Sequence, residues 1–149
     1  MVAVLRKALD EQYAAFTTPR PRVVEGCVCC TTSAQLCALV DVPREELSAD
    51  HLNSYAQKAI STIGGPSDFR YFWPRLAELA VDGKLTADRE VVFGKPVYGK
   101  HLEWPQVERK AMLSLAAGIG DWLAREVIED QVDSWICAVG LLSEGIGDP

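Results

Sequence analysis

The strongest pattern in the sequence is the spacing of apolar residues by three and four positions, which is typical of an α-helix with one buried face. The pattern is clearest after Ser48, a residue type that commonly caps a helix N-terminus. The apolar face of this predicted helix consists of Leu52, Tyr55, Ala56, Ala59, Ile60 and Ile63. The helix is predicted to end at Gly64-Gly65-Pro66, because glycine and proline disfavour its continuation.

The same spacing predicts further helices along the chain. One covers about 2–16 and ends before the prolines of "TTPRPR", and a short one covers about 33–40. Another follows Ser67 as its cap, with Pro74 at the first turn of its second half or at a kink. The long helix that Trp104-Pro105 opens has an inner face of Val107, Ala111, Leu115, Ile119, Trp122 and Leu123. The last helix carries the apolar residues Val132, Trp135, Ile136, Val139 and Leu142.

The segment "TADREVVFGKPVYGK" is the one place where two structures compete. It fits one helical turn or a short hairpin near 91–98, with "REVVF" and "PVYG" as its two strands. Convincing strand alternation is found nowhere else in the sequence. The chain has 149 residues, which is an ordinary length for one domain. The sequence therefore predicts a single all-α multi-helix domain over 1–149, with the hairpin as its one alternative element.

The charge of the chain is concentrated near its C-terminus. The net charge is −6, and residues 1–120 contain equal numbers of acidic and basic residues. Residues 121–149 contain seven acidic residues and one basic residue, Arg125. A negative field of this kind repels nucleic acid and attracts a basic partner. The other interpretation is a solvated helix face that keeps the protein soluble.

The start of the chain and its hydropathy bear on its location. The N-terminal apolar stretch is short and is interrupted by Arg6, Lys7, Asp10 and Glu11, which argues against a signal peptide. No apolar run approaches the roughly 20 residues that span a bilayer. These features predict a cytoplasmic protein with no membrane partner.

Motifs of the common enzyme classes are missing from the sequence. It contains no HExxH pair, no phosphate-binding loop, no serine nucleophile elbow and no glycine-rich dinucleotide turn. The adjacent carboxylates at Glu45-Glu46 and Glu129-Asp130 lie in charge-rich stretches that are expected to be solvated. An enzyme is therefore the less favoured interpretation.

The cysteines are the remaining chemical signal, since four of the five lie in "EGCVCCTTSAQLC" at 25–37. One interpretation is that they are reduced, largely buried thiols, because cysteine packs as a small apolar residue. A second is a zinc site in which Cys27 and Cys30 are ligands, completed by Cys37, His51 or His101. Against zinc, no second CxxC or HxxxH pair follows.

A third interpretation is that the clustered thiols are redox-active. They precede a predicted helix, and a helix N-terminus lowers the pKa of a thiol. However, the βαβ setting of a thioredoxin-like motif is missing. Cys137, in "DSWICAVG", is predicted to lie in the core.

Four segments together resemble a family of uncharacterised soluble bacterial proteins. They are "PRPRVVEGCVCC", "DFRYFWPRLAEL", "EWPQVERKA" and "DSWICAVGLL", and the resemblance extends from about Tyr13 to Leu142. It implies a bacterial, cytosolic origin. It implies no activity and no functional residue.

Three classes of function follow from these observations. The favoured one is a non-enzymatic interaction domain that neutralises a basic partner, as immunity proteins of toxin systems do. The second is a metal- or thiol-dependent protein centred on Cys27 and Cys30, with zinc as its cofactor in the metal case. Nucleic-acid binding ranks last because of the charge. For the first class, the partner-binding edge is predicted at Glu126, Glu129, Asp130 and Asp133. Trp122 or Trp135 would serve as an apolar anchor if it is exposed.

Overall fold

The computed structural model describes residues 3–27, 31–125 and 129–143, and these segments are mainly helical. Their seven α-helices are α1 (Ala3–Ala15), α2 (Ser33–Asp41), α3 (Ala49–Lys58), α4 (Pro66–Val81), α5 (Arg89–Tyr98), α6 (Gln106–Arg125) and α7 (Glu129–Ser143). Two short 3₁₀ helices lie at Arg44–Glu46 and His101–Glu103. These ranges contain isolated bridges of Ile63 to Gly26 and Ala59, but no strand. The all-α prediction is therefore confirmed.

Helix α4 lies in the core and is buried on most sides. Phe69, Phe72, Trp73 and Leu76 are fully buried within it. The helix continues through Pro74, although proline cannot donate the backbone hydrogen bond expected at that position. A helix that is apolar on most sides belongs inside a bundle, which agrees with the packing of α1, α3 and α5 against this one.

Helix α4 begins at Pro66 rather than after Ser67, so the predicted cap is wrong. Proline suits the first helical position because its φ angle is already helical and its missing N–H is not needed there. The Asp68 carboxylate accepts a hydrogen bond of 3.0 Å from the backbone N–H of Gly65 and so closes the first turn. Helix α3 also ends earlier than predicted, at Lys58, and Ile63 is buried in the turn that follows.

The segment 89–98 is helix α5, so the predicted hairpin alternative is wrong. The backbone carbonyl of Asp88 accepts hydrogen bonds from the N–H groups of Val91 and Val92, which starts the helix. Val92, Phe93 and Pro96 form its buried face. The Phe93 ring packs against the rings of two buried tryptophans. This packing overrides the strand preference of the adjacent valines.

Helices α1, α6 and α7 form one side of the protein. The Gln12 side chain on α1 donates to the carbonyl of Ala111 on α6, and Leu5 lies against Gly118. On the other side of α6, the indole N–H of Trp135 on α7 donates to the carbonyl of Ala116. Since later residues of α1 lie beside earlier residues of α6, these two helices are antiparallel.

Two residues of the predicted inner faces are exposed instead. Val107 and Ile136 are each 59% exposed. On α6, Glu108 is buried in place of Val107, because its carboxylate pairs with the guanidinium of Arg70. On α7, the buried side is set by Trp135 and Leu142, and Ile136 lies about 100° around the helix from Trp135.

Among the described helices, none is both long and apolar enough to cross a membrane.

Candidate functional site

The clustered thiols are only partly within the described residues. The Cys27 side chain is exposed, and its backbone N–H donates to the carbonyl of Thr62. Cys37 lies on α2 and is also exposed. The interpretation of largely buried thiols is therefore wrong for these two. Cys30 lies outside the described residues, so the Cys27–Cys30 pair stays a prediction.

The two histidines predicted as completing zinc ligands both have structural partners. The Nδ1 atom of His51 accepts from the backbone N–H of Ser48 at 3.1 Å, while Ser48 Oγ accepts from the N–H of His51. His51 thus closes the N-terminus of α3. His101 is buried, with its Nε2 atom 3.2 Å from the carbonyl oxygen of Leu142. Within 3–27, 31–125 and 129–143, no three His, Cys, Asp or Glu side chains are grouped so that they could hold a metal ion.

Cys137 is exposed on α7, so its predicted place in the core is wrong. It follows Trp135 by two residues, which places it about 200° around the helix from that buried ring. The apolar residues next to Cys137 in the sequence predicted that its side chain is buried, but only one side of α7 faces the core.

The acidic residues predicted as a partner-binding edge lie near the junction of α6 and α7. Glu126 lies outside the described residues. Glu129 and Asp130 begin α7, but their side chains are outside the described part. Asp133 is exposed one turn later, and Asp121 is exposed in the last part of α6. The described carboxylates thus place negative charge on both helices beside their junction.

Of the two tryptophans predicted as anchors, neither is fully exposed. Trp135 is buried, so it cannot contact a partner directly. Trp122 is half-buried, and the Arg89 guanidinium lies over its ring, 5.3 Å from the centroid. The apolar part of the candidate edge must therefore come from other side chains.

An apolar groove between α6 and α7 supplies that part. It encloses a cavity of about 270 Å³ whose lining includes Leu113, Ala117, Gly120, Ile136, Val139 and Gly140. The buried ring of Trp135 and the Ala116 methyl group lie at its base. The groove exists because residues with little or no side chain occupy both helices where larger ones would fill the space.

The acidic residues lie at one end of this groove. On α6, Asp121 follows Ala117 by one turn and lies between the groove and a cavity of about 280 Å³ that α1 borders and whose lining includes Lys7 and Arg125. On α7, Ile136 and Gly140 follow Asp133 by three and seven residues and lie along its corresponding side. The arrangement is an apolar trough with carboxylates where α6 ends and α7 begins. We call it the acid-ended groove.

Two other cavities have a different character. One, of about 410 Å³, lies between α1 and α6 and is lined by Ala14, Val107 and Ser114, with Glu11 and Lys110 of opposite charge. Another, of about 610 Å³, has polar walls that include Glu25, Thr62 and Asp68. In the second cavity, the Asp68 carboxylate already closes the first turn of α4.

The most connected group of charged side chains surrounds Glu78. Its carboxylate accepts hydrogen bonds from Arg6 at 2.8 Å, Arg75 at 2.6 Å and the Tyr13 hydroxyl at 2.9 Å. Burial alone would raise the pKa of Glu78, but these hydrogen bonds outweigh it and hold the pKa below its ordinary value. Burial, together with the charge of Glu78, raises the pKa of Tyr13. A cluster satisfied in this way joins α1 to α4 and favours a structural role.

Comparison of the chain with family models, curated proteins and solved structures gives no match. The bacterial family resemblance therefore stays a prediction, and the proposals below rest on the residues and their geometry. Sequence reasoning located the acidic residues but missed the groove beside them. The available signal was the small residues Ala116, Ala117, Gly118 and Gly120, together with Gly140 one turn from Ile136.

Proposed function

We propose that the protein is a non-enzymatic interaction domain that binds a basic protein partner over the faces of α6 and α7. The observation that carries the proposal is the acid-ended groove, which combines an exposed apolar wall with carboxylates at one end. Ile136 is 59% exposed in that wall, although it is a large aliphatic residue. Apolar surface rimmed by polar residues is typical of protein-binding sites.

The charge distribution favours a basic partner. Asp121 and Asp133 are exposed near the end of the groove, and the sequence places Glu126, Glu129 and Asp130 between them against one basic residue, Arg125. Charges of one sign steer an oppositely charged partner and speed its encounter, and salt weakens the effect. The apolar groove would then hold the partner after encounter by removing Ile136 from water.

Neutralisation of a basic toxin is the form of this function that we favour. An acidic domain that covers the working surface of a basic protein blocks it without any chemistry of its own. The bacterial, cytoplasmic setting that the sequence suggests agrees with such a role. Immunity proteins of toxin systems act on their partners in this way, and the likeness to them supports this form of the function.

The test is comparative capture from a native lysate of the source cells. The immobilised wild-type chain is expected to retain a basic protein in stoichiometric amount, and added salt should release it. Asp121→Lys combined with Asp133→Lys should lose that protein. The matched control is Asp41→Lys combined with Glu46→Lys, which changes the net charge equally at exposed positions of α2 and the first 3₁₀ helix. Equal retention by the two double variants would contradict the proposal.

The second candidate is a thiol- or metal-dependent function of the Cys27–Cys30 pair. The observation that favours it is the exposure of Cys27 and Cys37, since accessible thiols react and bind metal more readily than packed ones. Metal analysis of protein prepared without chelator tests the metal form. Zinc in one-to-one amount that is lost in Cys27→Ser would support it, and a metal-free preparation would contradict it.

A further inference from the structure

We infer that the acid-ended groove binds an amphipathic α-helix whose basic residues lie one turn beyond its apolar anchors. The inference rests on the proposed function, because it names the form that the basic partner presents to α6 and α7. Three features of the groove support a bound helix: its apolar lining, the charges near its ends and its length.

The groove favours a helix over an extended segment. Its described lining consists mainly of aliphatic side chains and glycine, with few groups that could pair with the backbone of an extended peptide. An extended segment would leave its own N–H and C=O groups unpaired there, which is unfavourable. A helix satisfies these groups internally and presents only side chains.

The groove lies where a third helix would pack against two antiparallel neighbours in a helix bundle. Trp135 lies beside Ala116 and Gly120, while Leu142 lies beside His101, so α6 and α7 are antiparallel neighbours. Ala117 on α6 and Gly140 on α7 are exposed and have little or no side chain, so the space between them stays open. A Cβ atom added at Gly140 would meet nothing within 4 Å, so there is free space above this position. Small residues of this kind let helix axes approach closely.

The length of the groove sets the spacing of the partner residues. From Leu113 to Gly120 the α6 wall covers seven residues, which is about 10 Å or two helical turns. A bound helix therefore places apolar residues at i, i+3 or i+4, and i+7 in the trough. Asp121 and Asp133 lie just beyond, so lysine or arginine is expected about one turn after the last of these.

The opposite end of the groove has the opposite charge. Arg109 precedes Leu113 by about one turn of α6, whereas Lys110 lines the cavity between α1 and α6. A bound helix is thus directed by charge, with its basic end over Asp121 and Asp133. A second copy of this chain would also offer both signs, but two copies with a net charge of −6 each repel one another. A separate basic segment is attracted instead.

The experiment uses three fluorescent peptides of about 18 residues and the full chain. The first has leucines at i, i+4 and i+7 followed by three lysines at one end. The second has the same composition in scrambled order, and the third has glutamate in place of lysine. Fluorescence anisotropy is expected to show that the first peptide binds at least about tenfold more tightly than the others, and that added salt weakens it.

Two variants locate the binding. Gly140→Leu fills the groove and should weaken the first peptide about tenfold or more. Gly94→Leu is the matched control, since Gly94 lies within α5 and a Cβ atom there also meets nothing within 4 Å. Ile136→Lys removes the exposed wall and adds repulsion to the basic end, so it should weaken the peptide even if Gly140→Leu folds poorly. Circular dichroism checks the fold of each variant.

Three outcomes would overturn the inference. The scrambled peptide could bind equally well, the Gly140→Leu and Ile136→Lys variants could retain the first peptide, or no peptide could bind. Sedimentation that shows a dimer of the wild type, lost in Gly140→Leu, would assign the groove to a second copy. The lysate capture remains a separate test, because a folded basic surface could bind Asp121 and Asp133 without placing a helix in the groove.

Discussion

The carboxylate of Glu108 accepts two hydrogen bonds of 2.7 Å from the guanidinium of Arg70, one from Nε and one from Nη2. Glu108 is buried on α6, and Arg70 is half-buried on α4, so the pair joins two helices that are distant in sequence. The geometry is bidentate, which is the strongest form of this ion pair. The hydrogen bond from Arg70 to Glu108 raises the pKa of Arg70.

We expect Glu108→Gln to lower the free energy of unfolding by about 2–4 kcal/mol, because Arg70 would keep its charge without an anionic partner. Urea denaturation followed by circular dichroism measures the change. Glu103→Gln, at an exposed position of the second 3₁₀ helix, is the control and should be close to neutral. The double variant Arg70→Met with Glu108→Leu should recover much of the loss, since apolar residues can replace such a pair. A double variant as unstable as Glu108→Gln would contradict this explanation.

Acidic pH should lower the free energy of unfolding, because Glu78 becomes protonated. Its pKa is lower in the folded state than the ordinary value of 4.5. A lowered carboxylate pKa contributes stability that is present above the unfolded-state pKa and is lost as the pH falls through the folded-state pKa. The urea midpoint should therefore fall as the pH is lowered below about 4.5.

Glu78→Gln should flatten that part of the pH dependence, because the amide cannot titrate. Asp10→Asn is the control, since Asp10 is exposed and shares Arg6 with Glu78 but has no part in its other hydrogen bonds. A midpoint that falls with acid equally steeply in wild type and Glu78→Gln would show that other carboxylates cause the effect.

Two glycines should respond to alanine in opposite directions. At Gly140 the backbone is helical and the added Cβ atom has free space, so Gly140→Ala should raise the free energy of unfolding by about 0.5–1 kcal/mol. At Gly64 the φ angle is +64°, and the added Cβ atom would lie 2.8 Å from Asp68 Oδ2. Gly64→Ala should therefore lower the free energy of unfolding by about 1 kcal/mol or more. Thermal unfolding of the two variants side by side measures both effects, and shifts of the same sign would argue against this placement of Gly64.

The exposed thiols should react with a maleimide in the native protein. Cys37 and Cys137 lie on the outer sides of α2 and α7. Intact-protein mass spectrometry should therefore show that Cys37→Ser and Cys137→Ser each remove one rapidly added label. If Cys137→Ser leaves the number of rapid labels unchanged, the Cys137 side chain is covered and α7 is rotated about its axis.

The helical parts of the fold were predictable from local sequence, because apolar spacing and caps are local signals. Ser48 caps α3 as predicted, and Leu52 and Tyr55 are buried on its inner face. The segment 89–98 could not be assigned in this way, because Phe93 becomes helical through contact with Trp73 and Trp135, which are distant in sequence. Glu108 was missed for the same reason, since its burial depends on Arg70.

For the candidate site, the sequence predicted the negative charge but not the groove. Net charge is additive along the sequence, so the acidic surplus after residue 120 could be counted. The groove depends on which side of α6 and α7 faces outward. That orientation is set by Trp135, whose indole N–H bonds to the Ala116 carbonyl. Small residues such as Gly120 and Gly140 are an ambiguous sequence signal, because they also occur where helices simply pack closely.

The buried amide of Gln12 determines how α1 can sit on its neighbours. Its Nε2 atom donates to the carbonyls of Ala8 and Ala111, and its Oε1 atom accepts from the indole N–H of Trp73. If α1 slid by one turn along α6, the amide would lose two of these partners inside an apolar core, where unpaired polar groups are strongly disfavoured. Leucine at this position would fill similar space yet tolerate several offsets. Gln12 therefore restricts α1, α4 and α6 to a single relative alignment. This alignment in turn fixes which side of α6 faces outward.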